Sequence, residues 1–469
     1  MITLILALFI GCLFVCALLG LPMLYAVLAG LLMFYAYGLH RGFSARHLLM
    51  VMIPGFRSSM IIVIVLLLIG IMSAAWRTSG LMALLVIQGL SLIYPPLFLL
   101  FVFLLCSAFS FILGSSLGSA SVMGVMLFTL GNAAGVDPLL SGGAILSGIY
   151  FGDRASWLSS SAFLVATITG VDHKKHLRNM FRTSVLPFLV SAGIYAFLSG
   201  HYPYDPETAS EVFALKDFFK LDSPLLVLPL GLVLLPAFTK LKLRGAIVLS
   251  TLAAAGTAIF HQGVTPWLVM QDLVWGYTRA IDHPQLQLLY GGGFLSMINP
   301  MLTVLLSGAL PPLLAELAVL TRFQNFLGRL AQKTYPFVPA LVSGILTSII
   351  GCSQTLAIFL QAPLLEKVHP AGQNEQKALA IANTSIVLAA LVPWNIAMAV
   401  PLAILGASYK SGLFAFYLYA LPLVVLVVEG LRRKRPSQAG SSQTGCSPNG
   451  QILAGVDSPT TSPVDTARP

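Results

Sequence analysis

Asp153 and Arg154 sit with Gly152 and the serines Ser156, Ser159, Ser160 and Ser161 inside apolar sequence that runs from Leu139 to Thr169. A carboxylate among hydroxyl oxygens can hold a small cation and a proton in alternation. Hydroxyl and amide oxygens can ligate sodium, or hydrogen-bond an organic solute, without titrating. A helix crossing lipid does not leave such a cluster facing hydrocarbon, so it faces protein or water. Ser115, Ser116 and Ser119 lie upstream, and Ser353, Gln354, Asn383, Thr384 and Asn395 lie in the second half of the chain. With Asp153, Ser156, Ser159 and Ser160 they are the candidate substrate or ion ligands. Helix-to-helix hydrogen bonding by small polar residues is the competing reading for each. Arg154 leaves two readings open for its neighbour, a functional carboxylate or one half of a structural ion pair.

The elements that position these residues are read from composition. The chain is 57% hydrophobic and 9% charged, with a mean hydropathy of +0.89. Soluble domains carry about 25% charged residues. Apolar runs recur from end to end, each long enough to cross a hydrocarbon layer about 30 Å thick. The chain is therefore expected to be an all-α polytopic membrane protein with about 11–13 transmembrane or re-entrant helical segments. The first run, Ile2 to Leu19, lacks a basic leader and reads as a retained span. The net charge of +10 comes from short basic clusters between spans, which the cytoplasmic preference of Lys and Arg explains without a nucleic-acid partner. The five cysteines show no metal-ligand spacing, and Cys12 with Cys16 reads as packing on one helix face.

Six stretches follow in order: an N-terminal hairpin and loop (1–56), a first unit (57–182), connecting spans (183–289), a second unit (290–410), a last span with a basic end (411–435), and a Ser/Thr/Pro/Gly-rich tail (436–469) read as disordered. Arg41, Arg46 and Arg57 read as a cytoplasmic loop, as do Lys174, Lys175, Arg178 and Arg182. Asp172, His173 and His176 read as a solvated face of that loop. Tyr94-Pro95-Pro96 and the acid-rich loop 200–222 read as outer turns, and Trp267, Trp275 and Tyr277 as interface anchors. Both termini are expected in the cytoplasm, and Glu316 is expected to snorkel near the inner end of its span.

Each unit reads as a long segment, two pieces split at a Gly/Ser break, then a second interrupted segment. Ser59-Met60 pairs with Ser296-Met297, and Gly114-Ser115-Ser116 with Gly351-Cys352-Ser353, both at an offset of 237. An odd number of crossings between them makes the repeat inverted in topology, the build of many secondary transporters with broken helices. Gly114, Gly152, Trp157, Gly351, Pro393 and Trp394 are the candidate helix-break or gating residues.

The stretch from Ser141 to Arg154, with its Tyr150-Phe151-Gly152-Asp153, resembles the NhaC family of sodium/proton antiporters, where the segment reads A-G-A-I-I-S-G-A-Y-F-G-D-K followed by x-S-P-L-S-D-T-T. Leu113-Gly114-Ser115-Ser116-Leu117-Gly118-Ser119, Gly291-Gly292-Gly293 and Val392-Pro393-Trp394-Asn395 resemble that family's I-G-S-S-W-G-T, G-G-G and I-P-W-N. The resemblance covers roughly residues 57 to 410. Family acids are replaced at three sites: Ser160 stands in S-P-L-S-D-T-T, Cys352-Ser353-Gln354 replaces A-D-Q, and Ile381-Ala382-Asn383-Thr384-Ser385 replaces L-E-D-S-G. The acid of the Tyr150-Phe151-Gly152-Asp153 motif survives.

The resemblance implies a secondary active transporter exchanging sodium for protons by alternating access, in a bacterial inner membrane. Loss of the acids at three sites keeps a second reading in play, ion-coupled movement of a small carboxylate or amino acid on the same scaffold. Sodium is the one bound species implied, with no other cofactor. The lipid bilayer and the transported solute are the expected partners, and a homodimer is left open. An intramembrane enzyme would need a nucleophile with a base at depth, and no histidine lies in a confident span beside the serines. No nucleotide-binding motif is present.

Overall fold

In the computed structural model all residues are described except 1, 20, 93–96, 202–214, 238, 240, 279–288, 318–320, 371 and 435–469. Tyr94-Pro95-Pro96, most of the acidic loop and the C-terminal tail therefore fall outside the described residues. The rest is helical, and the described residues contain no strand beyond a single bridge, Tyr277 to Gly291.

The helices are α1 Ile2–Leu19, α2 Met23–His40, α3 Ala45–Thr78, α4 Leu81–Leu92 and α5 Phe98–Leu113, then α6 Ser116–Ala133, α7 Pro138–Ala155, α8 Ser160–Thr169 and α9 His173–His201. They continue with α10 Pro224–Leu234, α11 Leu243–Phe260, α12 Pro266–Trp275, α13 Leu295–Glu316, α14 Thr321–Lys333 and α15 Phe337–Gly351. The last are α16 Gln354–Leu364, α17 Asn374–Leu391, α18 Ile396–Leu405 and α19 Phe416–Lys434. Among the described residues six helices are long and apolar enough to cross a membrane, or seven if the bent pair α17–α18 forms one span, and six shorter apolar helices accompany them. The protein is an all-α polytopic membrane protein.

Several segments read as loops are helical. α3 begins at Ala45, capped by Ser44 Oγ, which accepts from His47 N at 3.2 Å, so Arg46 and Arg57 lie on a helix and Pro54 is inside it. α9 begins at His173, where Asp172 Oδ2 accepts from Lys175 N at 2.9 Å. His176 is buried in that first turn, against the expectation of a solvated face. Local basic charge marks a side of the membrane without breaking a helix. Tyr277 is likewise buried, whereas Trp267 and Trp275 are exposed as anchors should be. Glu316 is half-exposed and pairs with His47 Nε2 at 2.9 Å.

The repeat is visible in the backbone, in a different register from the sequence pairing. Gly114 and Cys352 both hold the left-handed conformation, with φ of 63° and 51°, and each is followed by an N-cap serine, Ser115 or Ser353. That equivalence is an offset of 238. In the packing of α3 on α13, Gly55 abuts Gly308 O and Gly70 abuts Gly293 O. Adding 238 to one member of each contact and subtracting it from the other converts the first contact into the second. Only a two-fold relation does that, and the two helices run in opposite directions. The second interrupted segments match at 236: α7 starts and ends 236 residues before α17, and the left-handed C-caps Gly170 and Gly406 share the spacing. The offset of 237 failed because residue identity between apolar helices carries little information, whereas a left-handed cap fixes a single position.

Candidate functional site

Asp153 lies in the last turn of α7, 4% exposed. Three helix breaks converge on its carboxylate. Ser116 N, at the start of α6, donates to Oδ1 at 3.4 Å. Ser161 Oγ, in the first turn of α8, donates to Oδ2 at 3.5 Å and to the Asp153 carbonyl at 3.4 Å. Gln354 Nε2, the first residue of α16, donates to Oδ2 at 3.3 Å and to Ile386 O at 3.0 Å. Each break exists for a local reason. Left-handed Gly114 and Cys352 terminate α5 and α15, and serine caps restart the chain: Ser115, Ser159 and Ser353 accept from Gly118 N, Ala162 N and Leu356 N. The carboxylate thus faces the positive ends of three helices. All three contacts are at the long limit of a hydrogen bond, so they leave lone pairs for a cation or a proton. Ser159 Oγ lies 2.9 Å from Ser161 Oγ and extends the oxygen cluster.

Arg154 does not pair with Asp153, which removes the structural ion-pair reading. Consecutive helical residues diverge by about 100°, and Arg154 leaves toward α9 and α17. Its Nε donates to Ala382 O at 3.0 Å, Nη1 to Met180 O at 3.0 Å and to Ser184 Oγ, and Nη2 to Thr183 Oγ1 at 2.9 Å and to Asn383 Oδ1. The guanidinium is fully buried.

The remaining sequence candidates divide. Ser115, Ser116, Ser159, Ser353 and Gln354 belong to the three breaks around Asp153. Asn383 reaches Arg154 instead. Thr384 enters a neutral network in which Gln361 Nε2 donates to Thr384 Oγ1 at 2.9 Å and Ser385 Oγ donates to Gln361 Oε1 at 2.6 Å. Asn395 caps α18 through Ala397 N at 3.0 Å and donates to Ser348 O at 2.8 Å. Ser119 bonds Ser115 O within its own helix, and Ser156 Oγ accepts from Leu158 N in the turn between α7 and α8. Ser160, at the position of a replaced family acid, is exposed and faces away.

The helix-break set also needs correction. Gly152 is inside α7, where a Cβ would meet Ser110 and Phe111 of α5 at 2.4 Å; it permits close packing and makes no break. Trp157 stands in the α7–α8 break but is 61% exposed, so it is no wall of the site. Trp394 is buried and donates to Ile349 O at 2.9 Å, beside Pro393 in the α17–α18 break. Gly351 is the last residue of α15, and the left-handed residue is the next one, Cys352. Sequence reading missed Ser161, Gln361 and Tyr150, whose hydroxyl donates to Ala397 O across the repeat. Ser161 was within view as one of four serines, and its helical spacing from the Ser159 cap was the signal that separates it from Ser160.

A model of the Na+/H+ antiporter family matches residues 148–430. The chain is 25% identical over 424 residues to the malate-2H+/Na+-lactate antiporter of Bacillus subtilis, covering 89% of this chain and 90% of that protein. It is 27% identical over 389 residues to the Na+/H+ antiporter NhaC of Alkalihalophilus pseudofirmus, covering 80% and 83%. A third relative, the Na+/H+ antiporter NhaC of Bacillus subtilis, is 24% identical over 406 residues, covering 84% and 89%.

Proposed function

We propose, from the premise that the chain belongs to the Na+/H+ antiporter family, that it is a secondary active transporter exchanging sodium for protons at Asp153. The observation that carries this reading is a buried carboxylate with no cationic partner among the described residues, held by one neutral donor from each of three helix breaks. One carboxylate cannot hold a proton and a sodium ion together, so loading either releases the other. The oxygens of Ser161 and Ser159 beside it, with the Asp153 carbonyl, form the hard-oxygen surroundings that a small cation requires. Rocking of one repeat against the other about the two-fold would present this point to each side in turn. The basic segments favour cytoplasmic termini in a bacterial inner membrane, and every close relative named above is a transporter, not an enzyme.

Proteoliposomes enclosing a pH dye test the exchange. Added sodium should move protons in the opposite direction, Asp153→Asn should abolish the signal, and acid should raise the sodium concentration needed for half-maximal flux. Sodium-independent proton movement, or none in the wild type, would overturn the proposal.

A further inference from the structure

The positive charge next to the coupling carboxylate is left uncancelled. Every acceptor around the Arg154 guanidinium is neutral: three backbone or amide oxygens and two hydroxyls. None of the ion pairs among the described residues involves Arg154. Buried charges are ordinarily paired, and those held by dipoles alone bear a desolvation cost that an anion would offset.

Thr183 and Asn383, the two acceptors of Nη2, line a cavity of about 570 Å3 whose walls come from α9, α15, α17, α19 and the loop before α17. Volumes of 300–1,000 Å3 are usual for small-molecule sites. Arg182, an exposed residue one position before Thr183, lines the same cavity and adds a second positive charge. The α19 wall contributes Val424, Val425 and Val428, and also Glu429. Thr183 and Asn383 thus form the end beside Arg154, and Leu186, Phe337, Leu379 and the α19 valines supply apolar wall. That distribution suits a short carbon chain with an anionic head.

We propose that this cavity is a subsite for a small organic carboxylate, whose head binds Arg154 Nη2 by displacing the Thr183 and Asn383 oxygens. The exchange substitutes a charged acceptor for two neutral ones, and charge-assisted bonds to arginine are roughly twice as strong as neutral ones. Thr183 and Asn383 then turn their own donors to the ligand. An acid at position 383 would neutralise Arg154 from within, whereas the neutral amide of Asn383 leaves the charge for a ligand to meet. The proposal rests on reading the chain as a transporter with its exchange site at Asp153, which it extends with a second, anionic substrate.

The test is thermal denaturation of the purified full-length protein with malate, lactate or inorganic phosphate, each as its choline salt. Malate or lactate should raise the wild-type midpoint by several degrees. Asn383→Asp should fold with an unliganded midpoint at or above wild type and lose that response. Arg154→Lys, which keeps the charge and loses the planar fork, should raise the half-saturating concentration at least tenfold. The proposal is overturned if neither carboxylate shifts the wild type, if phosphate alone does so, or if Asn383→Asp responds as the wild type does. A separate sodium chloride arm on the wild type bears on the exchange reading alone. A carboxylate response without a sodium response would count against that reading and leave the subsite standing.

Discussion

Asp153 and Arg154 leave the end of α7 on different faces, so adjacent residues of opposite charge serve different neighbours. The carboxylate meets three helix starts, and the guanidinium ties α7 to α9 and α17. Around Asp153 the identity of the serine matters more than the number of serines. Ser161→Ala removes a direct contact worth about 1 kcal/mol and should raise the sodium concentration for half-maximal exchange about fivefold. Ser160→Ala should leave it unchanged, because that side chain faces away. Equal effects in the flux assay would remove Ser161 from the site. His369 offers a separate test on the loop between α16 and α17. Burial, aided by the charge of Lys377 and opposed by Gln373, holds this imidazole below its ordinary value of 6.5. As pH falls below about 6.5 the unfolded chain takes up a proton that the folded chain resists, so His369 costs stability on the acid side. Melting midpoints measured between about pH 7 and pH 5 should fall less steeply for His369→Gln than for the wild type. Parallel slopes would show that His369 does not contribute.

At the scale of elements the two hairpins solve one backbone problem with different residues. A chain that ends one helix and caps the next within two residues needs a left-handed residue at the join. Gly114 holds that conformation without steric cost, while Cys352 is the only non-glycine residue with positive φ among the described residues. Cys352→Gly should therefore be neutral or stabilising by up to about 1 kcal/mol. Gly114→Ala should cost about 1–2 kcal/mol from conformation alone, before counting a Cβ that would lie 2.6 Å from the Leu158 backbone. Denaturation midpoints of the two variants, compared with the wild type, check the opposite signs. The breaks themselves were legible in the sequence, since Gly and Ser interrupt apolar runs at both hairpins and in the segment after Asp153. The extents of α3 and α9 were not. Basic residues suggested loops there, but Arg and Lys are good helix formers, and a helix can pass through the membrane surface without ending.

Across the whole molecule the two-fold is built on close backbone contact between α3 and α13. A Cβ on Gly55 would lie 2.1 Å from Gly308 O, and one on Gly70 would lie 2.7 Å from Gly293 O. Small residues allow such approach between helices in lipid. Gly55→Val should lower the denaturation midpoint by about 5 °C or more through overpacking that costs about 2–3 kcal/mol. Gly11→Val, with nothing within 4 Å of its Cβ, should leave the midpoint unchanged. Similar midpoints for the two would mean that the contact between the repeats is looser than described.

The sequence by itself determined the class of molecule and the residue at its centre. Sustained hydropathy requires membrane helices because backbone groups in lipid must bond internally, and a lone acid at depth stands out because desolvation makes it rare. The paired Gly/Ser breaks likewise announced two related units. Only the tertiary structure decided which oxygens reach Asp153, that Arg154 turns away from it, and that the repeat register is 238 and then 236. The physical reason is that the hydropathy pattern reports how each segment meets its solvent. Direction out of a broken helix, and contact between residues some 200 positions apart, arise when the segments pack against one another.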